Sequence, residues 1–253
     1  MAELSLICLA LYAVTSLVVG TRLIARSYRS RGLPEFLIGC TYAVASGSGY
    51  PLSVVAPYLS GRSATLAAMI VAQVLIVLGC SAFAFFNAKV FRPSASWSVP
   101  VAALGSLVFA ASGLGVIVAF LSAPEGALAA ESARSATAVF LFALVACQAW
   151  TALEGLRHYR MMKRRLALGL ADAVVTNRFL LWGISGAISV TWNGVVISSL
   201  LAGANVSANP VPVLAVSLGG LASAVCLVLT FMPPSWYVRW LERERNSRAL
   251  AAV

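Results

Sequence analysis

Charge in this chain comes in short basic bursts, and the stretches between them carry almost none. Each stretch is about 20 residues long, the length of helix that crosses a hydrocarbon core roughly 30 Å thick. Such a segment cannot be a surface helix of a soluble domain, because no side of it is fit for water. Only 10% of the residues are charged, against roughly a quarter in soluble domains. The expected fold class is therefore all-α: a polytopic membrane protein with seven transmembrane helices. The spans fall at roughly 4–24, 35–59, 65–88, 99–122, 135–156, 179–202 and 211–232. The first is not a cleaved signal peptide, since Glu3 and no basic residue precedes its long apolar core.

The net charge of +10 has a topological meaning. Sixteen of the 18 Lys and Arg residues fall on one side of the predicted spans. Arg22, Arg26, Arg29 and Arg31 lie after span 1, and Lys89 and Arg92 after span 3. Arg157, Arg160, Lys163, Arg164, Arg165 and Arg178 lie between spans 5 and 6, with Arg239, Arg243, Arg245 and Arg248 in the tail. Only Arg62 and Arg134 fall opposite. The positive-inside rule then puts the N-terminus outside and the C-terminus in the cytoplasm, in a plasma (inner) membrane with anionic headgroups against the basic side. No basic stripe interleaves with exposed aromatics, so nucleic acid is not the expected partner.

Residues 1–234 read as one membrane domain, followed by a tail at 235–253. Two prolines, Pro233 and Pro234, stop the last span. Trp236, Trp240 and Leu241 then fall on one side of a helix and Arg239, Glu242 and Arg243 on the other, as in an interfacial amphipathic helix. GLRHYRMMKRRLALGL continues span 5 into the cytoplasm and offers a protein partner a surface at 157–170. Asp172 can cap a short turn after it. The sequon Asn205-Val206-Ser207 reads as a chance match. The five cysteines fall inside predicted spans and read as small packing residues.

A faint internal repeat relates the two ends of the chain. FLIGCTYAVASGSGYP (36–51) aligns with FLLWGISGAISVTWNG (179–194), so that Ser46 meets Ser189 and Tyr50 meets Asn193. Gly20-Thr21-Arg22 matches Gly155-Leu156-Arg157, and FRPSASW (91–97) matches FMPPSW (231–236). The plan is 3+1+3, two parallel three-helix repeats around a linking fourth span. On helical spacing, Tyr42, Ser46, Gly49/Tyr50 and Ser53 share one face, and Trp182, Ser185, Ser189 and Trp192/Asn193 share another. Lipid satisfies neither an amide nor a phenol, so both faces are expected to point into the bundle. There Gln73, Gln148 and Thr151 offer further partners. The expected ligand-binding set is Tyr42, Ser46, Tyr50, Gln73, Gln148, Ser189, Trp192 and Asn193, beside a hinge at Gly47, Gly49 and Pro51.

Other chemistry is disfavoured by what the spans lack. No charged residue lies deep in a span, which disfavours ion-coupled pumping. Glu35 and Glu154 sit at helix ends near Arg31 and Arg157, as interfacial ion pairs. His158, the sole histidine, reads as solvated in a basic loop. No metal-ligand cluster, cofactor motif or nucleophile–base pair is present, so no enzyme, metal or cofactor is expected. The seven-helix plan resembles opsins and receptors, but span 7 holds no lysine for a retinal Schiff base.

The 3+1+3 plan is also similar to sugar-exporter and PQ-loop transporters, where midplane aromatic and Asn side chains hold substrate and helix prolines hinge. Tyr50, Pro51, Trp192 and Asn193 match those chemical types, although this chain has no Pro-Gln motif and a longer loop 5–6. That similarity implies a facilitator for a small neutral or amphipathic solute. The alternatives are a seven-helix sensor or receptor with a cytoplasmic partner, and a packing subunit of a membrane complex.

Overall fold

The computed structural model describes residues 2–122, 133–204 and 209–250; the sequon and most of loop 4–5 lie outside them. The described residues are helical, with no strand. The elements are α1 (Ala2–Ser30), α2 (Leu33–Cys40), a π-helix (Thr41–Gly49), α3 (Tyr50–Val55), a 3-10 turn (Ala56–Tyr58), α4 (Arg62–Phe91), α5 (Ser98–Ser122), α6 (Arg134–Ala167), α7 (Ala173–Leu201), α8 (Pro210–Phe231) and α9 (Ser235–Leu250). Six of these are long and apolar enough to cross a membrane: α1, α4, α5, α6, α7 and α8. The outer faces carry large apolar side chains, among them Leu104, Leu107, Leu114, Leu153 and Leu218, all more than half exposed. A surface so apolar belongs in lipid, and the chain has the build of a multi-pass membrane protein.

The expected second span differs from the other six. Residues 33–58 form a continuous helical rod, but a composite one, α then π then α then 3-10. Pro51 is the physical reason. It has no N–H to bond back along the helix, and its ring crowds the carbonyl a turn earlier. Wider bonds relieve that crowding: Tyr50 N–H reaches the carbonyl of Ala45, and Ser48 Oγ donates to the carbonyl of Ala43 at 2.9 Å. Both span five residues, the π spacing.

The helix ends follow local chemistry. Gly61 (φ 92°) and Gly169 (φ 70°) take left-handed backbone at the start of α4 and after α6, where a side chain would be strained. Asp172 accepts from Val175 N–H at 2.9 Å and caps α7, a long helix rather than the short turn expected. It therefore begins ahead of the predicted span at 179. The expected cytoplasmic extension is part of α6, which runs unbroken to Ala167.

Each rod packs against the next in sequence, and α8 returns to α1. The result is a closed ring of α1, the 33–58 rod, α4, α5, α6, α7 and α8, with α4 also reaching across to α6. Neighbours run antiparallel. The exception is the closing pair: Ser5–Ser217 (2.8 Å) and Arg22–Met232 (3.0 Å) show α1 and α8 running the same way. Helices without a hydrophobic drive to associate need small residues at their crossings. A methyl group added at Gly20 would strike Ala43 of the rod, and one at Gly79 would strike Ala45. One at Gly155 would lie 2.9 Å from Gly183 N, and one at Gly219 would lie 2.5 Å from Trp192.

Toward the arginine-rich end the interior is filled with rings. Trp182 lies 4.7 Å from Phe86, 5.9 Å from Phe91 and 5.9 Å from Phe231, and Tyr42 lies 6.2 Å from Phe231, centre to centre. Val19, Leu23, Ile38 and Leu227 pack around them. These rings form an aromatic plug on that side of the bundle.

Candidate functional site

The two stripes come together at one end, where Tyr42 and Trp182 both pack on Phe231, while Tyr50 and Asn193 lie on rods that are not neighbours. The 33–58 rod is flanked by α1 and α4, while α7 is flanked by α6 and α8. Tyr50 and Asn193 therefore do not face each other across one helix contact, because the ring inserts α1 and α8 between them. The sequence offered two matched faces but no information on which rods are neighbours.

Each stripe has found a partner on its own side. Tyr12 of α1 donates to Ser46 Oγ at 3.1 Å. Asn193 is fully buried, and its amide donates to Gln148 Oε1 and to the carbonyl of Ser189, both at 2.9 Å. Trp192 lies on Gly219 of α8. On the adjoining face of the same helix, a methyl at Gly220 would sit 3.9 Å from Tyr12. The glycine pair lets two rings approach one helix from two sides. A belt of successive contacts results: Gln148, Asn193, Trp192, the Gly219-Gly220 saddle, Tyr12 and Ser46. Tyr12 was missed in the sequence. Its signal was the spacing, since it precedes Gly20 by eight residues and Gln148 precedes Gly155 by seven.

Other expected site residues stand elsewhere. Gln73 is turned toward α5, where its amide nitrogen lies 3.2 Å from the place a methyl on Gly113 would occupy; it is no part of the belt. Tyr42 belongs to the aromatic plug. Tyr50 is half-buried, and its hydroxyl has no hydrogen bond among the described residues. Gly47 and Gly49 are contact points: a methyl at Gly47 would lie 2.9 Å from Leu17 N, and one at Gly49 2.9 Å from Ile76. Their lack of side chains lets α1 and α4 pinch the rod where Pro51 widens it.

Four polar atoms in and beside the belt are buried without a partner: Ser16 Oγ, one turn beyond Tyr12, then Trp192 Nε1, Asn193 Oδ1, and Ser223 Oγ, one turn beyond Gly219. A buried donor or acceptor left unsatisfied costs about 1–3 kcal/mol. The three on α7 and α8 offer a donor, an acceptor and a hydroxyl that can be either, with no formal charge.

A second polar group, unassembled in the sequence, joins α4 to α6. Asn87 is fully buried; it donates to the carbonyl of Cys147 at 3.1 Å and accepts from Thr151 at 2.8 Å. One turn on, Arg92 grips Glu154 through Nε at 2.8 Å and Nη2 at 2.5 Å. Glu154 thus pairs with Arg92 and not with Arg157, because its side chain points into the α4 contact and is mostly buried. Glu35 forms no ion pair with Arg31 among the described residues. His158 is not loosely solvated either. Its ring stacks on Phe179 at 5.4 Å, lies 5.5 Å from Phe91, and its Nδ1 is 2.9 Å from the carbonyl of Glu154.

Two concavities open on the surface near the arginine-rich end, and neither is lined by any of the eight expected ligand residues. The tail helix α9 is moored to the bundle: Asn177 donates to Tyr237 Oη at 2.6 Å, and Leu241 is buried while Trp236 and Trp240 stay exposed. No protein-family profile, curated protein or solved structure matches the chain.

Proposed function

We propose that the protein is a seven-span membrane sensor that binds a small, neutral, hydrogen-bonding molecule at the Asn193–Trp192–Ser223 belt. The observation that carries this reading is the trio of buried, unpartnered polar atoms on α7 and α8. A ligand with one donor and one or two acceptors, and some apolar surface for Trp192, satisfies them. Charge is not called for, since the belt holds none. The route outward is α6. That one helix carries Gln148 of the belt, then Thr151, Glu154 and His158 against α4, and then the basic extension to Ala167. A shift at Gln148 is delivered by a rigid rod to a surface at 157–170 that a cytoplasmic protein can read.

The proposed frame counts the 33–58 rod as the seventh span, with the N-terminus outside and the C-terminus in the cytoplasm of the inner membrane. The ring order and alternating directions support this, as does the placing of the basic residues. A duplication is supported by contacts that recur in both halves. Gly20 and Gly155 mark the first crossing of each half and Gly79 and Gly219 the second, while Tyr12–Ser46 and Gln148–Asn193 join the same pair of rods in each half, one turn out of register.

A facilitator is the second reading, favoured by the widened, proline-marked rod, a place where a helix can flex. One experiment separates the two. Full-length protein is screened for small neutral molecules that raise its Tm, and the hits are tested for osmotic swelling of proteoliposomes, with Asn193→Leu alongside. A hit that stabilises wild type, fails with Asn193→Leu and gives no swelling is the expected result. Swelling that depends on the solute and falls in the variant makes the protein a facilitator. No stabilising molecule at all makes it a packing subunit.

A further inference from the structure

The two surface concavities lie on the two helices that the repeat makes equivalent. One, of about 390 Å³, is formed by α1 and the end of α8: Arg22, Arg26 and Arg29 stand over Val19, Leu23 and Phe231. The other, of about 270 Å³, lies along α6: Arg157, Arg160 and Arg164 stand over Leu153, Leu156 and Met161. The arginines follow Gly20 by two, six and nine residues, and Gly155 by two, five and nine. Each set lies along one helix face, as i, i+3 or i+4, i+7 spacing requires. The match covers the arginine rows, since α8 walls one cleft and α6 alone lines the other.

All six arginines are exposed. Arg22 touches Met232 Sδ, and among the described residues none of the six has a carboxylate partner. Three neighbouring guanidinium groups left unpaired repel one another, and an anion between them removes that cost. The apolar half of each cleft adds a second requirement. Leu153 is 71% exposed on the outer face of α6, where lipid tails run, so the occupant carries a hydrocarbon part beside its charge.

We propose that these are two repeat-related sites for an anionic phospholipid, its phosphodiester held by the arginine forks and its acyl chains along the apolar wall. Guanidinium groups bind phosphate oxygens in pairs, and basic pockets at the cytoplasmic side of helices hold such headgroups. The leaflet rests on the orientation proposed above; the headgroup chemistry does not.

Native mass spectrometry of the detergent-purified full chain tests this, with phosphatidylglycerol and phosphatidylcholine as probes. Wild type retains two phosphatidylglycerol molecules in preference to phosphatidylcholine. R22Q/R26Q/R29Q and R157Q/R160Q/R164Q each retain one, and loss of three charges weakens the affected site by roughly a hundredfold. Each Gln variant keeps the lipid of its intact cleft, so a misfolded variant, which would lose both, is not mistaken for a lost site. The proposal falls if phosphatidylcholine is held as well as phosphatidylglycerol, or if both Gln variants still hold two lipids. It also falls if inorganic phosphate displaces the lipid, which would make the clefts free-anion sites. Retention of neither lipid overturns it too.

Discussion

Arg92 and Glu154 show how a single pair fixes two helices. Glu154 is mostly removed from water at the end of the α4–α6 contact, and the partly exposed Arg92 compensates its charge. Arg92→Leu strands a mostly buried carboxylate and is expected to cost about 3 kcal/mol in denaturant unfolding from micelles. The double variant with Glu154→Leu recovers most of that loss. If single and double variants unfold alike, the pair does not couple the helices. Asn193→Leu removes one inter-helix bond, worth about 1 kcal/mol in a membrane, and should abolish ligand stabilisation far more completely than it lowers Tm. The residue types were legible in the sequence, because an Asn or Glu inside an apolar run must find a partner. Which partner was not. Arg92 is 62 residues from Glu154, and Gln148 is 45 from Asn193, brought to it by the packing of α6 on α7.

At the scale of helices, glycines decide how closely two rods approach. Gly219 and Gly194 make a controlled contrast. Trp192 fills the space beside Gly219, so Gly219→Leu must displace an indole, costing about 1–3 kcal/mol. Nothing lies within 4 Å of a methyl on Gly194, so Gly194→Ala is expected to gain about 0.5 kcal/mol through backbone entropy. Thermal unfolding of the two variants checks both signs. The six long helices were legible from length and polarity alone, their ends less so: in the sequence Asp172 suits the cap of a short turn, and in the structure it caps the whole of α7. Pro51 with Gly47 and Gly49 marked the rod as irregular. That the irregularity is a π-helix was not legible, since no residue type demands one; it arises when the neighbours pinch a helix that a proline has already opened.

For the whole molecule, alternate rods point opposite ways, so every connection has a definite side. All five native cysteines are free and lie within the helices, so a new surface cysteine gives a clean signal once those background sites are blocked or replaced. Ser60→Cys is expected to react with an impermeant maleimide on intact cells, and Arg165→Cys only after permeabilisation. The reverse pattern would invert the proposed orientation and move both arginine clefts to the outer leaflet. Ring order was the part of the architecture least legible in the sequence. Hydrophobicity reports that a helix is in the membrane, whereas neighbour choice depends on small residues and polar atoms scattered over distant positions.

The π-helix has a consequence for how the chain tolerates changes in its own length. Its bonds reach five residues back, so Thr41–Gly49 holds more residues in the same rise than an α-helix would. A one-residue deletion there can tighten a wide turn to an ordinary one and leave the flanks in register. The same deletion within 75–83 of α4 has no slack to draw on. It would turn the rest of the helix by about 100° and swing Asn87 away from Thr151. A deletion scan read by yield of folded protein should find the segment around SGSGYP permissive and α4 intolerant, so the least regular helix would be the place where this membrane protein can absorb an altered reading of its length.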